Sequence, residues 1–160
     1  MGTGKSTVGR LIAEKLGWDL VDIDHYIEKK EGMSIAELFA AHGEVYFREA
    51  ETRSIKEIML KTNQVVATGG GAVLAEENRL LLKTNGYVVA LTATVETIIQ
   101  RVGGDRNRPL LLGKAHIAVP ELLEKRKHAY NFADIAISTD RLRIEFISQL
   151  ILDAYHKKSN

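Results

Sequence analysis

Hydrophobic and polar positions fall into two rhythms along this chain. Leu20-Val21-Asp22-Ile23, Gln64-Val65-Val66-Ala67-Thr68, Tyr87-Val88-Val89-Ala90-Leu91 and Ile135-Ala136-Ile137-Ser138 are short apolar runs without clean alternation. That pattern predicts strands covered on both faces of a parallel sheet. Helices are predicted between them, over Val8 to Leu16, Ser34 to Ala41, Glu44 to Lys61, Glu76 to Leu82, Thr94 to Arg101, Pro120 to Ala133 and Arg141 to His156. Ser34 and Glu37 have the spacing of a capping box, and Pro120 is placed as the first residue of its helix. Strands alternating with helices imply an α/β architecture, in which ligands gather at the carboxyl ends of the strands.

The 160 residues predict a single domain, 1–160, with a substantial core. A net charge of +1 argues against strongly electrostatic partners such as nucleic acid or a membrane surface. The absence of cysteine excludes disulfides, thiol catalysis and cysteine-ligated metal. No apolar run reaches membrane-spanning length and no leader pattern is present, so a soluble, cytoplasmic enzyme is expected. The five histidines show no metal-ligand spacing.

Chemistry enters with Met1-Gly2-Thr3-Gly4-Lys5-Ser6-Thr7. Glycines let backbone N–H groups turn onto a β-phosphate, a lysine reaches the β- and γ-oxygens, and the following hydroxyl takes a place on Mg²⁺. The helix predicted after it would point its positive dipole end at the same phosphate. The full pattern G-x-x-x-x-G-K-[ST] would need its first glycine before Met1, and its strand earlier still. The first strand is therefore expected to be absent from the chain as written, leaving it poorly stable or inactive.

Residues following the strands carry the other signals. On an extended segment Asp22 and Asp24 would point the same way, one toward Mg²⁺ and one toward an acceptor hydroxyl; the alternative is a helix cap at Asp24. Arg48 offers a fork for a carboxylate or phosphate, and Glu51, one turn on, could hold it or meet a substrate hydroxyl; an exposed ion pair is the plainer reading. Gly69, Gly70 and Gly71 would bring backbone within reach of a ligand. The segment 102–119 lacks periodicity and carries Gly103, Gly104, Arg106 and Arg108, which suggests a lid over ATP; a solvated basic loop is the alternative. Arg126 is a second carboxylate clamp or only a surface arginine.

Taken together, Gly-Thr-Gly-Lys-Ser-Thr at Gly2 to Thr7, Asp22 with Asp24, Phe-Arg-x-x-Glu at Phe47 to Glu51, the triple glycine, and Arg-Pro-Leu-Leu at Arg108 to Leu111 resemble the shikimate kinases, over nearly the whole chain. The resemblance implies a three-layer α/β/α P-loop kinase fold whose five-stranded parallel sheet would lack its central strand here. It implies ATP-dependent phosphorylation of the 3-hydroxyl of shikimate, with ATP and shikimate as small-molecule partners and a monomer as the working unit. By that resemblance Asp24 orients the hydroxyl, while Arg48, Arg126 and the backbone of Gly69 to Gly71 hold the substrate. Ser6 ligates Mg²⁺ directly and Asp22 through water; Lys5 and Arg108 stabilise phosphoryl charge; Arg101, and less clearly Arg141, flank adenine. A related kinase acting on gluconate or a nucleoside monophosphate, or a silent nucleotide-binding domain, are the alternatives.

Overall fold

A computed structural model describes residues 2–102 and 115–159. The elements run α1 (Lys5–Leu16), β1 (Asp19–Asp22), α2 (Ile23–Glu31), α3 (Ile35–Ile58), β2 (Gln64–Ala67), a 3-10 turn (Ala72–Leu74), α4 (Glu76–Asn85), β3 (Val89–Thr92), α5 (Val95–Val102), α6 (Ala115–Arg126), β4 (Ile135–Ser138) and α7 (Ile144–Ser159). The strands are parallel and pair as β1 with β2, Leu20 opposite Val65, and β3 with β4, Ala90 opposite Ala136. Among the described residues no ladder joins the two pairs.

Successive strand residues point to opposite faces, and each face receives its own helices. Val21, Val66 and Val88 pack with Ile23, Ile27, Leu38, Phe47 and Ile55, mainly from α2 and α3. Val65, Val89 and Leu91 pack with Val8 and Ile12 of α1 and Ile147 and Ile151 of α7. The first core takes Val88 from just before β3 together with β1 and β2 residues, and the second takes residues of β2, β3 and β4, which gives helices on either side of a parallel β layer. Gly9 of α1 permits close approach to that layer, since a Cβ there would lie 3.3 Å from Leu20 and 3.5 Å from Val65.

Three departures from the sequence-based elements bear on the site. Ile23–Glu31 is a helix, although Asp22 to Asp24 reads as extended; Asp22 is its N-cap, accepting from the N–H groups of Asp24 (3.1 Å) and His25 (3.4 Å). The helix expected from Pro120 begins instead at Ala115 and ends at Arg126. Pro120 thus lies inside it, where its missing N–H leaves the His116 carbonyl without its usual partner, and 127–133 continues as turns such as Ala133 N–H to the Tyr130 carbonyl, 3.1 Å. The last helix starts at Ile144, three residues after Arg141, whose φ is 56°. By contrast, the gap predicted between the helices ending at Ala41 and beginning at Glu44 is real. Gly43 interrupts α3 with φ 79° and ψ 176°, and the capping box of Ser34 and Glu37 forms at its start.

Candidate active site

The carboxyl ends of the strands carry two neighbouring clusters. In the first, Gly4 caps α1 in the left-handed region with φ 83° and no side-chain capping bond, which leaves first-turn N–H groups directed at the loop. Lys5 opens α1, and Ser6 and Thr7 are exposed in its first turn. Gly2, at φ 63°, lies so close to α5 that a Cβ would fall 2.9 Å from Val102 and 3.3 Å from Ile98. Thr3 is buried, and its Oγ1 has no hydrogen-bond partner. The Ser6 hydroxyl donates to Asp22 Oδ2 at 3.2 Å, which puts two hard oxygens at the mouth of the loop.

Arg101 closes this cluster from the side. Its guanidinium donates to the Gly2 carbonyl at 3.1 Å, the Thr139 hydroxyl at 3.0 Å and the Thr139 carbonyl at 3.1 Å. It therefore ties the loop to the end of β4, a role the sequence did not suggest because Thr139 lies 38 residues away. Arg141 is exposed, two residues beyond Thr139. Arg108 and most of the segment 102–119 lie outside the described residues.

The second cluster is built from α2, α3, α6 and the glycines after β2. Arg48 donates to Glu51 Oε2 at 2.9 Å and to Glu44 Oε1 at 3.1 Å. Only 1% of the Glu51 side chain and 28% of that of Arg48 are exposed, so the plainer reading of an exposed ion pair fails for Glu51. A Cβ on Gly69 would lie 3.2 Å from Asp24 Oδ1 and 3.3 Å from Glu51 Oε1, so both carboxylates converge on this glycine. One on Gly71 would lie 2.6 Å and 2.7 Å from the Arg48 Nη atoms. Gly69 and Gly71 are thus crowded by charged side chains rather than held in an unusual conformation, since the backbone φ at Gly71, −93°, is ordinary.

Asp22 and Asp24 do not act from one extended segment. Asp22 caps α2 and faces Ser6, while Asp24, inside the helix, faces Gly69. Arg126 is buried, not a surface arginine, and its Nε lacks a hydrogen-bond partner, as does Glu51 Oε1. Burial pushes the Glu51 carboxyl up, against the pull of Arg48; the Asp24 charge adds to the rise and Arg126 opposes it weakly. Buried polar atoms without partners are expensive, and here two of opposite character lie beside two further charged groups, an arrangement that can take a polar ligand. Tyr130, whose hydroxyl donates to the Gly70 carbonyl at 3.1 Å, completes the wall. Its place one turn after Arg126 was the only sequence signal for it.

Residues 1–156 match the family model described as Shikimate kinase. The chain is 45% identical over 161 residues to a shikimate kinase of Thermodesulfovibrio yellowstonii, covering 100% of this chain and 93% of the relative. It is 50% identical over 140 residues to one of Persephonella marina, covering 88% and 85%. Among solved structures it is similar to the shikimate kinase of Acinetobacter baumannii in complex with shikimate, with a TM-score of 0.94, 40% identity and coverage of 99% and 89%. The Aquifex aeolicus shikimate kinase gives 0.87, 33%, 99% and 94%.

Proposed function

The chain belongs to the shikimate kinase family and phosphorylates shikimate with ATP, and on that premise we propose which of its groups carry the transfer to the 3-hydroxyl. The observation that supports the assignment is that Glu51 Oε1 and Arg126 Nε are each buried without a hydrogen-bond partner, with Glu51 beside Asp24 and Arg48 and under the charge of Arg126. A small molecule with a carboxylate at one end and hydroxyls at the other complements such a site. Arg48 and Arg126 would take the carboxylate, with backbone N–H groups of Gly69 to Gly71 as further donors. Asp24 would orient the 3-hydroxyl and accept its proton as the oxygen attacks the γ-phosphorus and ADP departs.

Phosphoryl transfer asks mainly for alignment and charge stabilisation. The N–H groups of the Gly2 to Thr7 loop would hold the β-phosphate, with Lys5 on the β- and γ-oxygens. Arg108 would add a cation at the transferring group, and Arg101 and Arg141 would flank adenine. The Ser6 and Asp22 oxygens, 3.2 Å apart, suit Mg²⁺, a hard cation that keeps waters and binds phosphates rather than all-protein cages. Ser6 would hold it directly and Asp22 through water, and the ion would neutralise charge on the phosphates.

The test is ADP release with Mg·ATP and shikimate, with gluconate and AMP as control acceptors. Shikimate-dependent turnover is expected, reduced by about 10²–10⁴-fold in Asp24→Asn. Preference for gluconate or AMP, or an Asp24→Asn variant as fast as wild type, would overturn the assignment.

A further inference from the structure

The three glycines after β2 have the most mobile kind of backbone, yet each of their carbonyls is held. The Gly69 carbonyl accepts from the Ala72 N–H at 3.2 Å and the Gly71 carbonyl from the Leu74 N–H at 3.0 Å, both within the following 3-10 turn. The Gly70 carbonyl is different. Its partner is the Tyr130 hydroxyl, 60 residues away and reached across the site from the turns after α6. Tyr130 is half-buried, and burial pushes its phenol above the ordinary value against the influence of Arg126, so the group stays a donor throughout the neutral range.

A peptide unit is planar and trans, so holding the Gly70 carbonyl also sets the direction of the Gly71 N–H on the opposite edge of the same plane. That N–H belongs to the residue over which the Arg48 guanidinium lies. We propose that Tyr130 is a positioning residue of the acceptor site, whose hydroxyl fixes the Gly70–Gly71 peptide and thereby the backbone donor beside Arg48. The inference rests on the acceptor-site reading above and adds to it a residue that touches no reacting atom. It also joins the two sides of the pocket, because Tyr130 follows Arg126 by four residues. The peptide that would meet the substrate and the arginine that would clamp it are thus set by one short segment.

Tyr130→Phe keeps the ring and removes only the donor. Because Gly70 is half-buried, water can partly replace the lost bond, so the change expected is moderate. The Gly71 amide should shift in a ¹⁵N–¹H correlation spectrum and exchange its proton faster in the unliganded protein. KM for shikimate should rise about fivefold while kcat and KM for ATP stay within about twofold. A purely structural tyrosine would instead lower Tm and move both KM values together, and that result overturns the proposal. An unmoved Gly71 amide overturns it as well, even if wild type proves inactive on shikimate. Inactivity of wild type would sink the proposed function by itself, while a shifted amide would still support the tether.

Discussion

Two carboxylates with little-exposed side chains, the buried Glu51 and the half-buried Asp134, sit at opposite ends of the β layer and are treated in opposite ways. The Asp134 side chain, 8% exposed and immediately before β4, accepts from Lys83 Nζ at 2.7 Å, Lys158 Nζ at 2.5 Å and the Val88 N–H at 2.8 Å. Burial alone would push its carboxyl up, but the bonds from Lys158, Lys83 and Val88 hold it well below the usual carboxylate range. Glu51 is buried more deeply, keeps one ion pair, has one oxygen without a partner and titrates above the ordinary value. Asp134 links α4, α7 and the entry to β3, with both of its oxygens bonded within the fold. Glu51 leaves capacity unspent where the substrate is expected, as functional sites commonly do.

The contrast can be broken most severely at Gly71. Gly71→Ala suits the local backbone, yet its methyl would occupy the space of the Arg48 guanidinium. Displacing that group should cost about 1.5–3 kcal/mol of substrate binding, a ten- to hundredfold higher KM for shikimate, with Tm little changed because a flexible side chain can move. Steady-state kinetics beside a thermal melt would read both, and an unchanged KM would argue that Arg48 is not engaged. Asp134→Asn should do the reverse. Loss of charge-assisted bonds on the order of 2 kcal/mol predicts a Tm lower by about 4–8 °C, with both KM values near wild type.

Glu51→Gln sharpens the comparison further. It should lower kcat/KM for shikimate by about tenfold, or ~1.4 kcal/mol, while Tm stays within about 3 °C. A larger loss of Tm than in Asp134→Asn would reverse the assignment of roles.

The smallest effects lie in the pH dependence, and the two signs are opposite. The folded Asp134 carboxyl lies below its unfolded value of about 3.9, so its stabilisation is present above roughly pH 4 and is lost as pH falls below that. The folded Glu51 carboxyl lies above its unfolded value of about 4.3, so its contribution is full below that pH and is lost as pH rises through the raised folded value. Urea melts from pH 3 upward should therefore show a shallower acid loss in Asp134→Asn and a flatter approach to neutrality in Glu51→Gln.

How much of this was legible in the sequence depended on the range of the interactions. The apolar runs located all four described strands to within two residues at each end, because burial on both faces writes itself into consecutive positions. Helix α2 is poorly marked, because Ile23, Tyr26 and Ile27 have helical spacing and Gly32 ends it at φ 71°, yet Asp22 and Asp24 at alternate positions fit an extended segment as well. The triple glycine announced a close approach, but not that the approaching groups are the protein's own Asp24, Glu51 and Arg48. The burial of Glu51 and Arg126 was invisible, since it is made by elements that meet only in three dimensions. Asp134 gave no signal at all, with its lysines 51 and 24 residues away.

The break at Gly43 has a consequence for how the chain tolerates change. In an unbroken helix each inserted residue turns everything beyond it by about 100°, so the angle of Arg48 would be dictated by the cap at Ser34. Here φ 79° and ψ 176° cut that transmission, and the second half of α3 takes its rotational setting from the packing of Phe47, Ala50 and Ile55. Residues 35–42 are tied to 44–58 by side-chain packing, Leu38 in the shared core and the Phe39 ring 4.7 Å from that of Phe47, rather than by helix continuity. A side chain at residue 43 would meet no neighbour but would be strained at this φ, and any relief of that strain would turn the helix that carries Arg48 and Glu51.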